Sequence, residues 1–287
     1  MTRASLYDRV AEETASIVIR RYSTSFGMAA RLLDARVRQH VENIYALVRL
    51  ADEIVDGEAV GAGLDTVAAA RQLNGLERET EFAIDSGFSS NLIVHAFALT
   101  ARENEFGQSL TRPFFDSMRT DLTATEHDQE SFDRYVYGSA EVVGLMCLRA
   151  FLRGGSYTDD ELARFEKGAC ALGAAFQKVN FLRDLAADFR ELGRSYFPGV
   201  SVDSFSEDDK NRLLDDIDSD LRMSGAVIPD LPAGSRRAVA LAQGLFAELA
   251  ARLRATPAST LASTRVRVPG PVKLRIVAAA TLGRVTK

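Results

Sequence analysis

Residues 177–188 read Gln-Lys-Val-Asn-Phe-Leu-Arg-Asp-Leu-Ala-Ala-Asp, a run without proline or glycine that is rich in helix formers and therefore predicts a helix. On a helix, residues three or four positions apart share a face and lie about 5–6 Å apart. A polar stripe roughly 80° wide is consequently formed by Gln177, Asn180, Asp184 and Asp188. Val179, Leu182 and Leu185 lie on the opposite side, where they can pack against a core.

Two carboxylates that face the same way on a helix repel each other and lower its stability slightly. Mg²⁺ takes oxygen ligands, keeps several waters and often bridges one or two carboxylates to substrate phosphates. The stripe therefore indicates an Mg²⁺–diphosphate site, whereas the simpler alternative is a solvated helix face. In a chain with 40 acidic residues, one pair of aspartates does not decide between these alternatives. A second matching motif would favour the metal site.

A second acidic pair lies on a helix predicted at residues 35–58. The apolar stripe of this helix consists of Val37, Val41, Ile44, Val48, Ala51 and Val55. An adjacent arc, about 60° wide, carries Tyr45, Arg49, Asp52 and Asp56. Because this arc borders the apolar stripe, we expect Asp52 and Asp56 to face a cleft rather than open water.

The composition is that of an ordinary globular protein, since 46% of the 287 residues are hydrophobic and 26% are charged. We expect one domain over residues 1–287, because no linker, repeat or low-complexity tract divides the chain. Cys147 and Cys170 form no disulfide framework, and neither a signal peptide nor a run of 18 apolar residues occurs, so we expect a cytoplasmic protein. The three histidines lie far apart, which argues against zinc.

The net charge of −5 is unevenly distributed. Residues 249–287 contain eight lysines and arginines and no acidic residue, which leaves −13 on the preceding part of the chain. This basic end either meets anionic phosphates or a membrane surface, or neutralises the acidic body of the protein. The overall acidity argues against a nucleic-acid partner.

Helical periodicity is nearly continuous and alternating β patterns are few, so we expect an all-α fold. Pro113 is expected to start a helix, since proline is favoured at the first helical position. Helices are predicted at residues 5–22, 35–58, 64–85, 90–106, 113–122, 131–153, 158–188, 206–222, 234–255 and 271–284.

Two segments allow two interpretations each. The hydroxyl groups of Ser23 and Ser25 either cap helices or donate hydrogen bonds to an anionic headgroup. Gly138 and Gly144 interrupt the predicted helix 131–153 at a cost of about 1 kcal/mol each relative to alanine. These glycines permit either close helix packing or room for a long apolar ligand.

Five segments together resemble the squalene/phytoene synthase family, whose members join two prenyl diphosphates head to head. The segments are Tyr22–Phe26, Tyr45–Asp56, Tyr135–Met146, Ala171–Asp188 and Gly193–Pro198. Their order and spacing match the family over about residues 10–280, and the bacterial phytoene synthase branch is the most similar. The combination is specific, although each segment alone is not.

The resemblance implies an all-α isoprenoid-synthase fold whose two acidic helices face each other across a central cavity. Mg²⁺, or Mn²⁺ in its place, would be held by Asp52, Asp56, Asn180, Asp184 and Asp188. The polar end of the substrates would be bound by Ser23, Ser25, Arg49, Gln177 and Arg183. The reaction centre would be lined by Tyr45, Tyr135 and Tyr196, and the prenyl channels by Phe26, Ala140, Val143 and Gly144.

The implied reaction condenses two geranylgeranyl diphosphates through prephytoene diphosphate to phytoene, with release of diphosphate and no need for NADPH. A relative that uses farnesyl diphosphate to make dehydrosqualene, presqualene diphosphate or squalene is the main alternative. A non-catalytic family member is another. Because substrates and product are lipids, we also expect peripheral contact with the inner face of the membrane.

The chain departs from the family pattern at two positions within the motifs. Ala187 replaces an acidic residue that the family usually has, and Glu141 stands where glycine is common. Glu141 would either narrow a prenyl channel, which leaves the chain length of the substrate open, or turn to solvent.

Overall fold

The structure, a computed structural model, describes residues 5–281 apart from the side chains of Val60 and residues 190–192. It confirms the all-α prediction, and no strand occurs among these residues. The α-helices are α1 (Leu6–Tyr22), α2 (Ser25–Ala30), α3 (Ala35–Val55), α4 (Glu58–Gly61), α5 (Thr66–Ser86), α6 (Leu92–Glu103), α7 (Gln108–Asp121), α8 (Gln129–Val136), α9 (Val142–Leu152), α10 (Asp159–Leu192), α11 (Glu207–Val227), α12 (Ala233–Ala255), α13 (Ala258–Leu261) and α14 (Gly270–Thr281). A π-helical turn spans Tyr137–Glu141, and 3₁₀ turns span Val202–Ser204 and Ile228–Asp230.

The longest of these helices, α10, carries the opening sequence stretch and has well-defined ends. Thr158 and Glu161 form a capping box at its start, in which each side chain accepts a hydrogen bond from the backbone N–H of the other residue. The helix ends at Gly193, whose φ of +64° is a left-handed conformation that glycine adopts without strain. Beyond Gly193 the chain turns back, so that Arg194 and Tyr196 lie near the acidic motifs.

Two apolar clusters form most of the core, and α10 contacts both. The first cluster joins α8, α10, α11 and α12, with Leu182, Leu214 and Ile217 fully buried. The second joins α3, α5, α6, α7 and α9 around Phe97, Phe114 and Phe115. Because α10 also packs against α9 and the π-helical turn, the polar stripe of α10 is placed between the two clusters.

The π-helical turn splits the predicted helix 131–153 and has a packing reason. A Cβ atom on Gly138 would lie 2.2 Å from the carbonyl oxygen of Pro113 and 2.2 Å from Ser117 Oγ. The turn can therefore approach α7 only with glycine at this position. Such π-helical insertions are often associated with functional sites.

Glycines also bring α9 and α10 close together. A Cβ atom on Gly144 would lie 2.6 Å from the carbonyl oxygen of Ala169, and one on Gly173 would lie 2.6 Å from that of Ala140. These two contacts fix an antiparallel register between the helices. Close packing thus accounts for Gly144, which in addition lines the central cavity.

Several predicted boundaries were wrong. The helix α7 begins at Gln108, so Pro113 lies inside it, because the buried stripe of Leu110, Phe114 and Met118 offsets the hydrogen bond that proline cannot donate. The short helix α2 lies between the predicted helices 5–22 and 35–58, where the sequence predicts no helix. The acidic helix α11 extends to Val227, since its apolar stripe continues to that residue.

One stretch, Gln129–Leu152, is long and apolar enough to cross a membrane by length and composition alone. Its apolar residues are used within the protein, however. Phe132 and Val136 belong to the cluster around α10, while Val142 and Met146 belong to the cluster around α7. The apolar composition of this stretch is therefore that of a core helix.

Replacing Gly138 with alanine tests the close approach of the π-helical turn to α7. Because the new methyl group would collide with backbone, we expect Gly138→Ala to lower the free energy of unfolding by about 1–3 kcal/mol. The matched control is Gly75→Ala in α5, where nothing lies within 4 Å and alanine should raise stability by about 0.5–1 kcal/mol. Equal effects of the two substitutions in a denaturant titration would contradict this explanation.

Candidate active site

A cavity of about 380 Å³ lies between the two apolar clusters. The helices α3, α9 and α10 run along it, and α2, α11 and α12 complete its walls. Its polar lining includes Asp52 on α3 and Gln177 and Asn180 on α10. Farther from these groups the lining is almost entirely apolar, up to Phe151 and Phe165. The cavity therefore has one polar end and one apolar end.

The two acidic motifs meet at the polar end. Burial raises the pKa of Asp188 to about 7, and the negative charges of Asp184 and Asp56 contribute to this rise. Burial also raises the pKa of Asp52 to about 7, with a further contribution from Asp56. Arg194 joins the two motifs directly, since its side chain pairs with Asp56 and its backbone N–H donates to the carbonyl oxygen of Asp188 at 3.1 Å.

Arginines neutralise much of this negative charge. Arg194 Nη1 lies 2.5 Å from Asp56 Oδ1. Asp184 is bound by two guanidinium groups, with Arg183 Nε 3.0 Å and Arg265 Nε 2.7 Å from its Oδ1. Sequence reasoning identified Arg183 but not Arg194 or Arg265. Arg183 binds the carboxylate beside it, and its predicted contact with diphosphate stays a prediction.

Arginines of the basic C-terminal segment, residues 249–287, form ion pairs with acidic residues of the protein, and Arg265 is one of them. Besides Arg265, Arg254 Nη2 lies 2.8 Å from both Asp215 Oδ1 and Asp218 Oδ2 on α11. Arg252 pairs with Glu248 at 2.8 Å. These contacts support the interpretation that this segment neutralises the acidic body of the protein.

Predicted substrate-binding groups cluster around the N-terminal part of the site. Arg49 is held by Glu53 on its own helix, and its guanidinium lies 4.5 Å from the centre of the Tyr22 ring. Ser23 Oγ accepts a hydrogen bond of 3.1 Å from the backbone N–H of Phe26 and also hydrogen-bonds to Tyr45. Ser23 thus acts as a cap in the structure. Its predicted binding of a diphosphate, like that of half-buried Ser25, stays a prediction.

Two of the three predicted tyrosines, Tyr135 and Tyr196, contact a buried acid that was not predicted from the sequence. Asp121, the last residue of α7, is 4% exposed. The hydroxyl of Tyr135 donates to both of its carboxylate oxygens at 2.8 Å, and the hydroxyl of Tyr196 lies 3.4 Å from one of them. The ring of Tyr196 stacks on Phe181 with a centroid distance of 4.0 Å. The ring of His127 lies nearly parallel to the Tyr196 ring, with the two centroids 6.1 Å apart.

The predicted channel residues are lining residues, with one correction. The cavity lining includes Phe26, Tyr45, Ala140, Val143 and Gly144. Glu141 is absent from it, so the first of the two alternatives for this residue, a narrower prenyl channel, does not hold. Its side chain is half-buried rather than solvated and hydrogen-bonds to Cys170 on α10, because the π-helical turn directs it away from the cavity.

The donor set at the polar end suits a hard cation such as Mg²⁺, since it consists of carboxylate and amide oxygens. No group of three or more carboxylate, histidine or cysteine side chains that could enclose a metal occurs in residues 5–281. Mg²⁺ does not require such a cage, because it commonly binds through one or two carboxylates together with substrate phosphates. The residues present therefore fit a cation that is bound jointly with diphosphate.

Residues 19–271 match the model of the squalene/phytoene synthase family. The chain belongs to this family. A curated 15-cis-phytoene synthase from Paracoccus sp. is 32% identical over 194 residues, which cover 66% of this chain and 60% of that protein. A 15-cis-phytoene synthase from Enterobacter agglomerans is 27% identical over 283 residues, which cover 92% of each.

Solved structures share the fold of this squalene/phytoene synthase family member. A dehydrosqualene synthase matches with a TM-score of 0.80 at 21% identity, over 96% of this chain and 97% of that one. A squalene synthase from Alicyclobacillus acidocaldarius matches with a TM-score of 0.74 at 20% identity, over 88% and 96% of the two chains. These similarities confirm the predicted all-α isoprenoid-synthase fold.

Proposed function

We propose that this family member is a phytoene synthase, a prenyltransferase that condenses two geranylgeranyl diphosphates to phytoene. The names of its curated relatives favour this activity, since those from Paracoccus sp. and Enterobacter agglomerans are both 15-cis-phytoene synthases. The length of the cavity is the observation that carries the choice of a C20 rather than a C15 substrate.

The walls of the cavity give its length. On α10, the lining runs from Asn180 to Phe165, and its part between Gln177 and Phe165 corresponds to about 18 Å of helix axis. On the opposite wall, the lining runs from Ser139 to Phe151, again about 18 Å. Gln177 lies seven residues, or about two helical turns, before Asp184, beside which a bound diphosphate would lie.

An extended prenyl chain can be compared with this length. Three main-chain bonds of an extended chain span about 3.3–3.6 Å, so the four bonds of an isoprene unit span about 4.5 Å. Four units then need about 18 Å and three units about 14 Å. A geranylgeranyl chain would reach the aromatic end wall at Phe151 and Phe165, whereas a farnesyl chain would leave its last 4 Å or so empty.

The residues at the polar end suit the departure of a diphosphate. Mg²⁺ held by the five predicted ligands would neutralise the leaving group, which is the chemistry that a bound cation supplies here. Arg49, Arg183 and Arg265 add positive charge at the same end. These guanidinium groups would bind diphosphate oxygens through strong, charge-assisted hydrogen bonds.

The rest of the cavity suits a carbocation. Phe26 and Phe176 line it with ring centroids 5.6 Å apart, and aromatic faces attract positive charge. The aliphatic side chains that line the cavity toward its apolar end exclude water, which would otherwise capture the cation. Joining the two chains through prephytoene diphosphate and losing protons to give phytoene needs no reductant, so no NADPH is required.

Removing one acidic ligand tests the proposed site. We expect Asp52→Asn or Asp184→Asn to lower turnover of geranylgeranyl diphosphate at least about a hundredfold, because each removes a charge that would face the cation. The matched control is Asp208→Asn on the exposed first turn of α11, which should retain full activity. Circular dichroism should show that all three variants are folded. Wild-type turnover in Asp52→Asn would contradict the metal assignment.

Filling the apolar end tests the choice of substrate. Cys147 lines the cavity on α9, at the level of residue 166 in the antiparallel register with α10. This level lies beyond the end of a farnesyl chain but within the reach of a geranylgeranyl chain. We therefore expect Cys147→Phe to lose activity toward geranylgeranyl diphosphate while gaining activity toward farnesyl diphosphate. Cys147→Ala is the control and should keep the C20 preference. An unchanged preference in a folded Cys147→Phe variant would contradict the depth argument.

We also propose peripheral contact with anionic membranes through α14. Leu274 is 68% exposed on this helix, between Lys273 and Arg275, which is a suitable arrangement for a lipid surface. We expect the protein to float with liposomes that contain anionic lipid, and Leu274→Asp to weaken this binding. Equal flotation of the two proteins, or none for the wild type, would exclude α14 as the contact.

A further inference from the structure

Asp121 lies outside both acidic motifs, yet it is the most enclosed carboxylate of the polar end. Its side chain is 3% exposed. It closes α7, where the negative end of the helix dipole disfavours an acidic residue. Burying a carboxylate costs several kcal/mol unless its oxygens are well paired. An apolar residue would pack at this position more cheaply, so the carboxylate needs a reason beyond packing.

Its hydrogen bonds give that reason. The hydroxyl of Tyr135 donates to both carboxylate oxygens at 2.8 Å, which fixes the position of this phenol. The hydroxyl of Tyr196 lies 3.4 Å from Oδ1 of the same carboxylate. Two tyrosines from different parts of the chain are thereby directed to one acceptor.

Arg194 connects this group to the first acidic motif. Its Nη1 lies 3.2 Å from the Tyr196 hydroxyl and 2.5 Å from Asp56 Oδ1, while its Nη2 donates to the backbone carbonyl of Asp121. Asp121 therefore contacts Arg194 through its main chain and, at 3.8 Å, through its carboxylate. Arg194 thus links Asp121 and Tyr196 to Asp56 in one hydrogen-bonded group.

The rings alone do not hold the two hydroxyls in place. Tyr135 and Tyr196 contact each other with centroids 5.5 Å apart, and Phe181 stacks on Tyr196. Such contacts fix the planes of the rings but allow the rings to slide. The hydrogen bonds to Asp121 remove this freedom.

We propose that Asp121 is a positioning residue, which holds the hydroxyl of Tyr135 in a fixed place close to the acidic motifs. Asp121 does not touch the substrate itself and influences the reaction through Tyr135. The inference rests on the proposed function and on the place of Tyr135 at the reaction centre, which the family resemblance implies.

A double-mutant cycle tests the proposal. We expect Asp121→Asn to lower kcat at least tenfold, with a change in KM of less than threefold, because the hydroxyl is misplaced while the binding groups remain. Tyr135→Phe should lower kcat as well. If Asp121 acts through Tyr135, the double variant should be no slower than Tyr135→Phe alone. Thermal unfolding of each variant separates these effects from a loss of stability.

The outcomes are distinct. Multiplicative losses in the double variant, or a normal kcat in Asp121→Asn, would overturn the positioning role. If Asp121→Asn does not fold, Asp121→Glu takes its place in the same cycle, since the extra methylene displaces the carboxylate without removing it. A wild-type protein that turns over no prenyl diphosphate would refute the proposed function instead. In that case, binding of Mn²⁺ and pyrophosphate would still show whether the site itself is formed.

Discussion

The concentration of negative charge at one end of the cavity is the constraint on which the rest of the site depends. Five carboxylates converge there, namely those of Asp52, Asp56, Asp121, Asp184 and Asp188. Burial and mutual repulsion raise the pKa of several of them, so each requires a nearby cation or hydrogen-bond donor. The guanidinium groups of Arg183, Arg194 and Arg265 supply part of this balance. A divalent cation bound with diphosphate would supply the rest.

A single long helix links this charge to the fold. The polar stripe of α10 carries Asp184 and Asp188, while its other side anchors a core cluster through Val179 and Leu182. Farther toward its start, the same helix forms the apolar wall of the cavity down to Phe165. The register fixed by Gly144 against α10 sets the opposite wall. The distance between the charged end and the aromatic end wall follows from these contacts.

Much of this arrangement could be predicted from sequence because it is local. Helical spacing alone placed Asp52 with Asp56 and Asp184 with Asp188, each on one face. The pairs Arg194–Asp56 and Arg265–Asp184 could not be predicted, since they join positions 138 and 81 residues apart. Asp121 carried no periodic signal because it is a lone acid at a helix end. The orientation of Glu141 depends on the π-helical turn, which arises from packing against α7.

The proposed activity is tested most directly by incubating the purified protein with Mg²⁺ and either geranylgeranyl or farnesyl diphosphate, without NADPH, and identifying the products by mass. A phytoene synthase with a cavity of this depth should give a C40 hydrocarbon from geranylgeranyl diphosphate and little product from farnesyl diphosphate. A C30 product alone would retain the family but contradict the proposed depth of the cavity. No product from either substrate, in a folded protein that binds diphosphate, would contradict the proposed enzyme activity.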